Sequence, residues 1–107
     1  MKKNIRVTYT LPKDVVGMVK TLRLLNEDKS YSQTVSKSIQ RGFASMEESL
    51  RDNDDLSAFP KKWKNTVTKT FTIPIEMSER LSYYSSILTM KKSHLVSLSI
   101  IDFYQSW

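Results

Sequence analysis

Six side chains able to hydrogen-bond a partner stand at alternate positions in two separate stretches: Arg6, Thr8 and Thr10 in one, Thr68, Thr70 and Thr72 in the other. Alternation puts each set on one face of an extended strand. A guanidinium offers donors in a fixed fork, and a threonine offers a hydroxyl that donates or accepts beside a methyl group. This is the chemistry of recognition, not of bond making. No serine stands in a nucleophile elbow or beside a matched base and acid, and no glycine-rich phosphate loop occurs, so the chain is not expected to be an enzyme. The only histidine, His94, has no cysteine and no carboxylate cluster at ligand spacing. It reads as a surface residue at a helix start, and neither a metal nor a cofactor is expected.

The elements that must position these side chains occur twice. Asn4-Ile5-Arg6-Val7-Thr8-Tyr9-Thr10-Leu11-Pro12 matches Thr66-Val67-Thr68-Lys69-Thr70-Phe71-Thr72-Ile73-Pro74, and the stretch from Ser32 to Ile39 matches that from Ser93 to Ile100, with a one-residue slip in offset. Ile5, Val7, Tyr9 and Leu11 oppose the polar face of the first strand (5–11), and Val67, Phe71 and Ile73 that of the second (67–73). Lys69 interrupts the second apolar face; it is expected near a ribbon edge, its stem packed and its ammonium in water. Each strand ends at a proline suited to a first helical position. Asp14 and Glu76 follow in the first turn, where the helix dipole favours them. Val15, Val19, Leu22 and Leu25, and then Met77, Leu81, Tyr84 and Ile87-Leu88, recur at helical spacing, predicting helices over 13–26 and 75–89.

Polar loops come next, Glu27 to Tyr31 in the first repeat and Lys91-Lys92 in the second, and Ser32 and Ser93 stand where N-caps are expected. Second helices are predicted over 33–46, with Val35, Ile39 and Phe43 on one face, and over 94–106. The last is apolar almost all round, apart from a strip of Ser97, Ser99, Asp102 and Gln105, and must be buried or paired. The expected division is a first repeat at 1–46, a linker at 47–64 and a second repeat at 65–107. The first part of the linker can extend the preceding helix. Its five acids (Glu47, Glu48, Asp52, Asp54, Asp55) read as a solvated strip, and steering the linker away from an anionic partner is the alternative. Trp63 and Trp107 read as packing residues that pin the linker and the last helix, with stacking on nucleic acid the alternative for Trp63.

Composition narrows the class. A chain of 107 residues, 39% hydrophobic, supports one small domain or two very small units sharing a core, but no deep catalytic cavity. With two Gly and three Pro, regular structure should dominate. Without Cys there are no disulfides or Cys-based zinc sites, and a cytoplasmic setting is expected. Lys2 and Lys3 run into Asn4-Ile5-Arg6 rather than an apolar stretch, so no secretory signal is expected. Nothing approaches the ~20 apolar residues of a membrane span. Seventeen Lys and Arg against 11 Asp and Glu, a formal charge of +6, imply an anionic partner: nucleic acid first, a membrane surface second.

A strand, helix, helix order within about 43 residues, with alternating polar residues before a strand-ending proline, resembles the ribbon-helix-helix family of DNA-binding proteins. The resemblance covers both repeats and leaves out the linker. Tandem single-chain members are known among conjugative-plasmid transfer proteins and regulators of archaeal viruses; the chain resembles that subclass, and its residues do not choose between the settings, so the cytoplasm is a host's if the chain is viral. The resemblance implies a mainly α fold of order β-α-α-β-α-α with one two-stranded antiparallel β-ribbon, the two units forming a pseudo-dimer. Physics asks for the same pairing, since one repeat of about 45 residues cannot bury its own faces. A linker of about 18 residues is long enough to join the units within one chain, and exchange of repeats in a swapped homodimer satisfies the same contacts.

Carried onto this sequence, the resemblance puts the outward ribbon face in the major groove of double-stranded DNA, with Arg6, Thr8, Thr10, Thr68, Thr70 and Thr72 on base edges. Each set spans about 14 Å of strand, or roughly three to four base pairs. An ordinary solvent face also carries threonine; five threonines and an arginine on a basic chain favour the partner. Because Arg6 corresponds to Thr68, the half-sites need not be identical. The starts of the second helices would hold phosphates through Lys29, Ser30, Ser32 and Gln33 on one side and Lys91, Lys92, Ser93 and His94 on the other. Lys2, Lys3 and Lys64 would add nonspecific attraction. The leading expectation is a transcriptional regulator, most simply a repressor, alone or assembled on DNA. An accessory protein at a plasmid transfer origin is the alternative. An antitoxin-type module is disfavoured because the second repeat runs to Trp107, and a membrane-surface protein because threonine alternation does nothing for lipid.

Overall fold

Alternation of side chains becomes alternation of burial in the two strands. The computed structural model describes residues 3–52 and 65–106, with elements in the order β1 (Asn4–Pro12), α1 (Lys13–Asn26), α2 (Tyr31–Asp52), β2 (Thr66–Pro74), α3 (Ile75–Leu88) and α4 (Lys92–Gln105). The described chain is mainly helical, with β1 and β2 forming a two-stranded antiparallel sheet. Tyr9, Leu11, Phe71 and Ile73 are buried beneath it, while Arg6, Thr8, Thr10, Thr68, Thr70 and Thr72 are exposed above. Thr8 faces Thr70 at the centre of the ladder, with Arg6 opposite Thr72 on one side and Thr10 opposite Thr68 on the other. Both ends close in the same way: the Lys13 N–H donates to the Asn65 carbonyl and the Ile75 N–H to the Lys3 carbonyl, each at 2.9 Å.

Local chemistry explains where the helices begin and stop. Pro12 and Pro74 are still extended, with ψ of 145° and 140°, and occupy the N-cap rather than the expected first helical position. Their missing N–H is harmless at a strand end, and the next residue supplies the closing donor. α1 ends as predicted at Asn26 and α3 one residue earlier than predicted. Each runs into a left-handed residue, Glu27 at φ 56° and Thr89 at φ 54°, where glycine would be the easier choice. Amides just beyond return to the last turn, Asp28 N–H to the Arg23 carbonyl (3.0 Å) and Met90 N–H to the Ser85 carbonyl (3.1 Å).

Helices α2 and α4 start earlier than predicted, at Tyr31 and Lys92, so Lys92 belongs to a helix rather than a loop. Neither Ser32 nor Ser93 is an N-cap. Ser30 Oγ accepts from the Gln33 N–H at 3.2 Å, and the N-cap of α4 is Lys91, with no side-chain bond. α2 continues six residues past the predicted end, to Asp52. Its Glu47 is tied down rather than simply solvated: the Tyr84 hydroxyl donates to the carboxylate at 2.5 Å. Burial and this bond raise the Tyr84 pKa. The rest of the expected linker, with Trp63 and Lys64, lies outside the described residues, as do Lys2 and Trp107.

One core joins both halves: Leu11, Val15, Val19, Leu22, Val35, Ile39 and Phe43 meet Phe71, Ile73, Leu81, Tyr84, Leu95, Val96, Ile100 and Phe103. Leu25 and Ile87, placed on the apolar stripes by spacing, are instead 49% and 44% exposed, because the stripe turns away from the core in the last helical turn. Lys69 sits in mid-strand opposite Tyr9; it borders an apolar recess with Val16, Val19 and Phe71 and stays exposed. The most extensive helix–helix contact is between α2 and α4. Ser97 and Ser99, of the polar strip, are both buried, Ser99 against Gly42 of α2, and their hydroxyls donate to the carbonyls of Ser93 and Leu95 at 2.8 Å. Small size and a backbone acceptor one turn back let serine sit where the helices approach. No helix among the described residues is long and apolar enough to cross a membrane.

A methyl group on Gly42 would lie 2.0 Å from Ser99 Oγ and 2.6 Å from Ser99 Cβ. Gly42→Ala is expected to destabilise the fold by about 1–3 kcal/mol through overpacking, and Ser99→Gly in the same chain to recover part of that loss. Urea denaturation of Gly42→Ala and of the double variant against wild type checks this.

Candidate nucleic-acid interface

The ladder brings the six alternating side chains onto one exposed surface. Thr8 and Thr70 hydroxyls lie 3.1 Å apart and Thr10 and Thr68 hydroxyls 3.3 Å apart, each pair sharing a hydrogen bond across the strands. Arg6 stands at one end of the row, opposite Thr72. Beneath, Tyr9 and Phe71 pack with ring centroids 6.4 Å apart. Burial pushes the Tyr9 phenol up to about 12, so it stays neutral under the surface.

A two-stranded ribbon has two outer edges whose N–H groups need partners. Ser32 Oγ accepts from the Thr72 N–H at 2.9 Å, and Ser93 Oγ accepts from the Thr10 N–H at 3.4 Å. Corresponding serines of the two repeats therefore each brace the strand of the other repeat. The start of α2 is held beside β2, the start of α4 beside β1. The residues expected at an anion site thus fall on both flanks of the threonine row: Lys29, Ser30, Ser32 and Gln33 on one, Lys91, Lys92, Ser93 and His94 on the other.

The two flanks differ in detail. Around α2, the Gln33 side chain accepts from the Lys29 N–H at 2.9 Å while Ser30 accepts from Gln33, so Ser30 and Gln33 chiefly serve the helix start. The preceding loop is anchored by Asp28, a buried carboxylate that accepts from Thr34 Oγ1 at 2.8 Å and pairs with Lys37. At α4, the His94 N–H donates to the Lys91 carbonyl at 3.0 Å. Burial and the neighbouring Lys91 charge lower the His94 pKa. Lys29, Lys91 and Lys92 are exposed, leaving their charges, with the positive ends of the helix dipoles, for an anion. Lys3 is exposed at the start of β1; Lys2 and Lys64 lie outside the described residues.

Sequence reasoning missed a further basic cluster. Lys20 and Lys69 border a recess with Tyr31, and Arg23 lies over the Tyr31 ring at 5.1 Å. The interruption of the apolar alternation at Lys69 was the available signal. Among the described residues no group of three or more His, Cys, Asp or Glu could hold a metal ion. No protein-family model, curated protein or solved structure matches the chain.

Ser32→Ala and Ser93→Ala are each expected to cost about 0.5–1.5 kcal/mol of stability, Ser32 the more because its bond is shorter. Amide hydrogen exchange should quicken at Thr72 in the first variant and at Thr10 in the second.

Proposed function

We propose that this chain is a sequence-specific double-stranded DNA-binding protein built from two ribbon-helix-helix units paired as a pseudo-dimer, and that it acts as a transcriptional regulator, most simply by occluding a promoter. The observation that carries this reading is the antiparallel register, which sets Arg6, Thr8 and Thr10 directly opposite Thr72, Thr70 and Thr68 on one exposed face. A major groove about 12 Å wide admits such a ribbon. Hydroxyls and a guanidinium supply donors and acceptors for base edges. Helix starts carrying Lys29, Lys91 and Lys92 flank the row, as phosphates flank a groove. The net charge of +6 supplies long-range attraction. On this reading the chain binds rather than catalyses and needs no cofactor.

Retardation of DNA duplexes at low ionic strength is the first test; failure to retard any duplex sinks the proposal. On the preferred duplex, Arg6→Ala is expected to cost about 1–3 kcal/mol and to relax one base position, whereas an equal loss on random DNA would count against base readout. Lys29→Ala or Lys92→Ala is expected to weaken binding to all sequences alike and to flatten the dependence of log K on log salt by about one unit, as measured by titration at several salt concentrations.

A further inference from the structure

We propose that the ribbon engages its duplex in one orientation only, with a G·C pair beneath Arg6 and A·T pairs beneath the Thr8–Thr70 and Thr10–Thr68 pairs. This rests on the reading of the ribbon as the base-contacting face and adds what that face selects. A half-turn about the central Thr8–Thr70 pair carries Thr10 onto Thr72 and Arg6 onto Thr68. The exposed row therefore maps onto itself everywhere except at Arg6 and Thr68, and the two ends present different chemistry to the same groove.

The groups that remain exposed on each side chain give that difference a base preference. In each threonine pair one hydroxyl donates to the other, which consumes one of the two O–H protons. Each pair keeps one donor, acceptor lone pairs and two methyl groups. In the major groove G·C presents N7, O6 and the cytosine amino group and A·T presents N7, O4 and the adenine amino group, two acceptors and one donor each, so the single remaining hydroxyl donor does not choose between them. What differs is the thymine C5 methyl, which gives the two threonine methyls an apolar partner that G·C lacks, so a threonine pair favours A·T. The guanidinium of Arg6 brings the two parallel donors that guanine requires. Reversing the protein on the same site would set Thr68 over the G·C pair, an arrangement disfavoured by about 5- to 150-fold, the range of one bidentate contact.

The test is selection from a pool of random duplexes by the full chain and by two ribbon variants, Arg6→Thr and Thr68→Arg, both at exposed positions, with thermal unfolding checked against wild type. The wild-type motif is expected to be directional, with G·C at one end only and A·T through the centre and far end. Thr68→Arg is expected to add a G·C pair at the other end and make the motif palindromic; Arg6→Thr is expected to remove the G·C pair and the direction together. A palindromic wild-type motif, G·C pairs beneath the threonine pairs, or a Thr68→Arg motif unchanged from wild type would overturn the proposal. Retained DNA with no enriched motif would overturn these base assignments while leaving DNA binding standing; no retention of any duplex would overturn both.

Discussion

Neither strand of this chain can hide its apolar underside without the other, and neither pair of helices can cover a ribbon that has not formed. Thr8 and Thr70 meet although 62 positions separate them in sequence. A lone two-stranded ribbon is marginal in water, so the helices must supply the remaining driving force. They do so from both halves at once, enclosing Tyr9, Leu11, Phe71 and Ile73 with residues of α1, α2, α3 and α4. Loop-closure entropy grows only slowly with the length of chain between the strands, and this core easily compensates for a long intervening stretch.

Close approach of α2 and α4 follows from the same demand, since a core shared by two short repeats has room for only thin layers. Gly42 against Ser99 removes the side-chain bulk that would hold the helices apart. Buried serine and threonine hydroxyls would be costly if unpaired, but Ser38, Ser97 and Ser99 each donate to a carbonyl one turn earlier, and Thr34 donates to Asp28. Polar residues in a helix stripe thus become packing residues.

The serine braces link scaffold to surface. Because Ser32 holds the edge of β2 and Ser93 that of β1, the starts of α2 and α4 keep a set position relative to the threonine row. On the proposed function, groups that grip phosphates and groups that read bases form one rigid unit, which is how weak individual contacts yield discrimination. The two strands differ at the corresponding positions Arg6 and Thr68, which on the proposed function meet bases, while the serine bonds at both edges correspond.

Much of this was legible in the residues. Period-2 alternation placed both strands to within a residue at each end, apolar spacing placed α1 and α3, and duplication implied that the strands pair. The exposed row of Arg6 and five threonines followed from alternation alone, since a strand offers only two faces. Helix starts and polar roles were not legible, because they depend on partners distant in sequence. Ser32 and Ser93 resemble N-caps until a neighbouring strand edge claims their oxygens. Ser99 resembles part of a polar strip until Gly42 brings α2 against it, and Leu25 and Ile87 resemble core until the helix ends carry them past it. Sequence periodicity determines which face an element buries; only the assembled structure decides what that face meets, and hence whether a hydroxyl caps a helix, braces a strand or stands free for a partner.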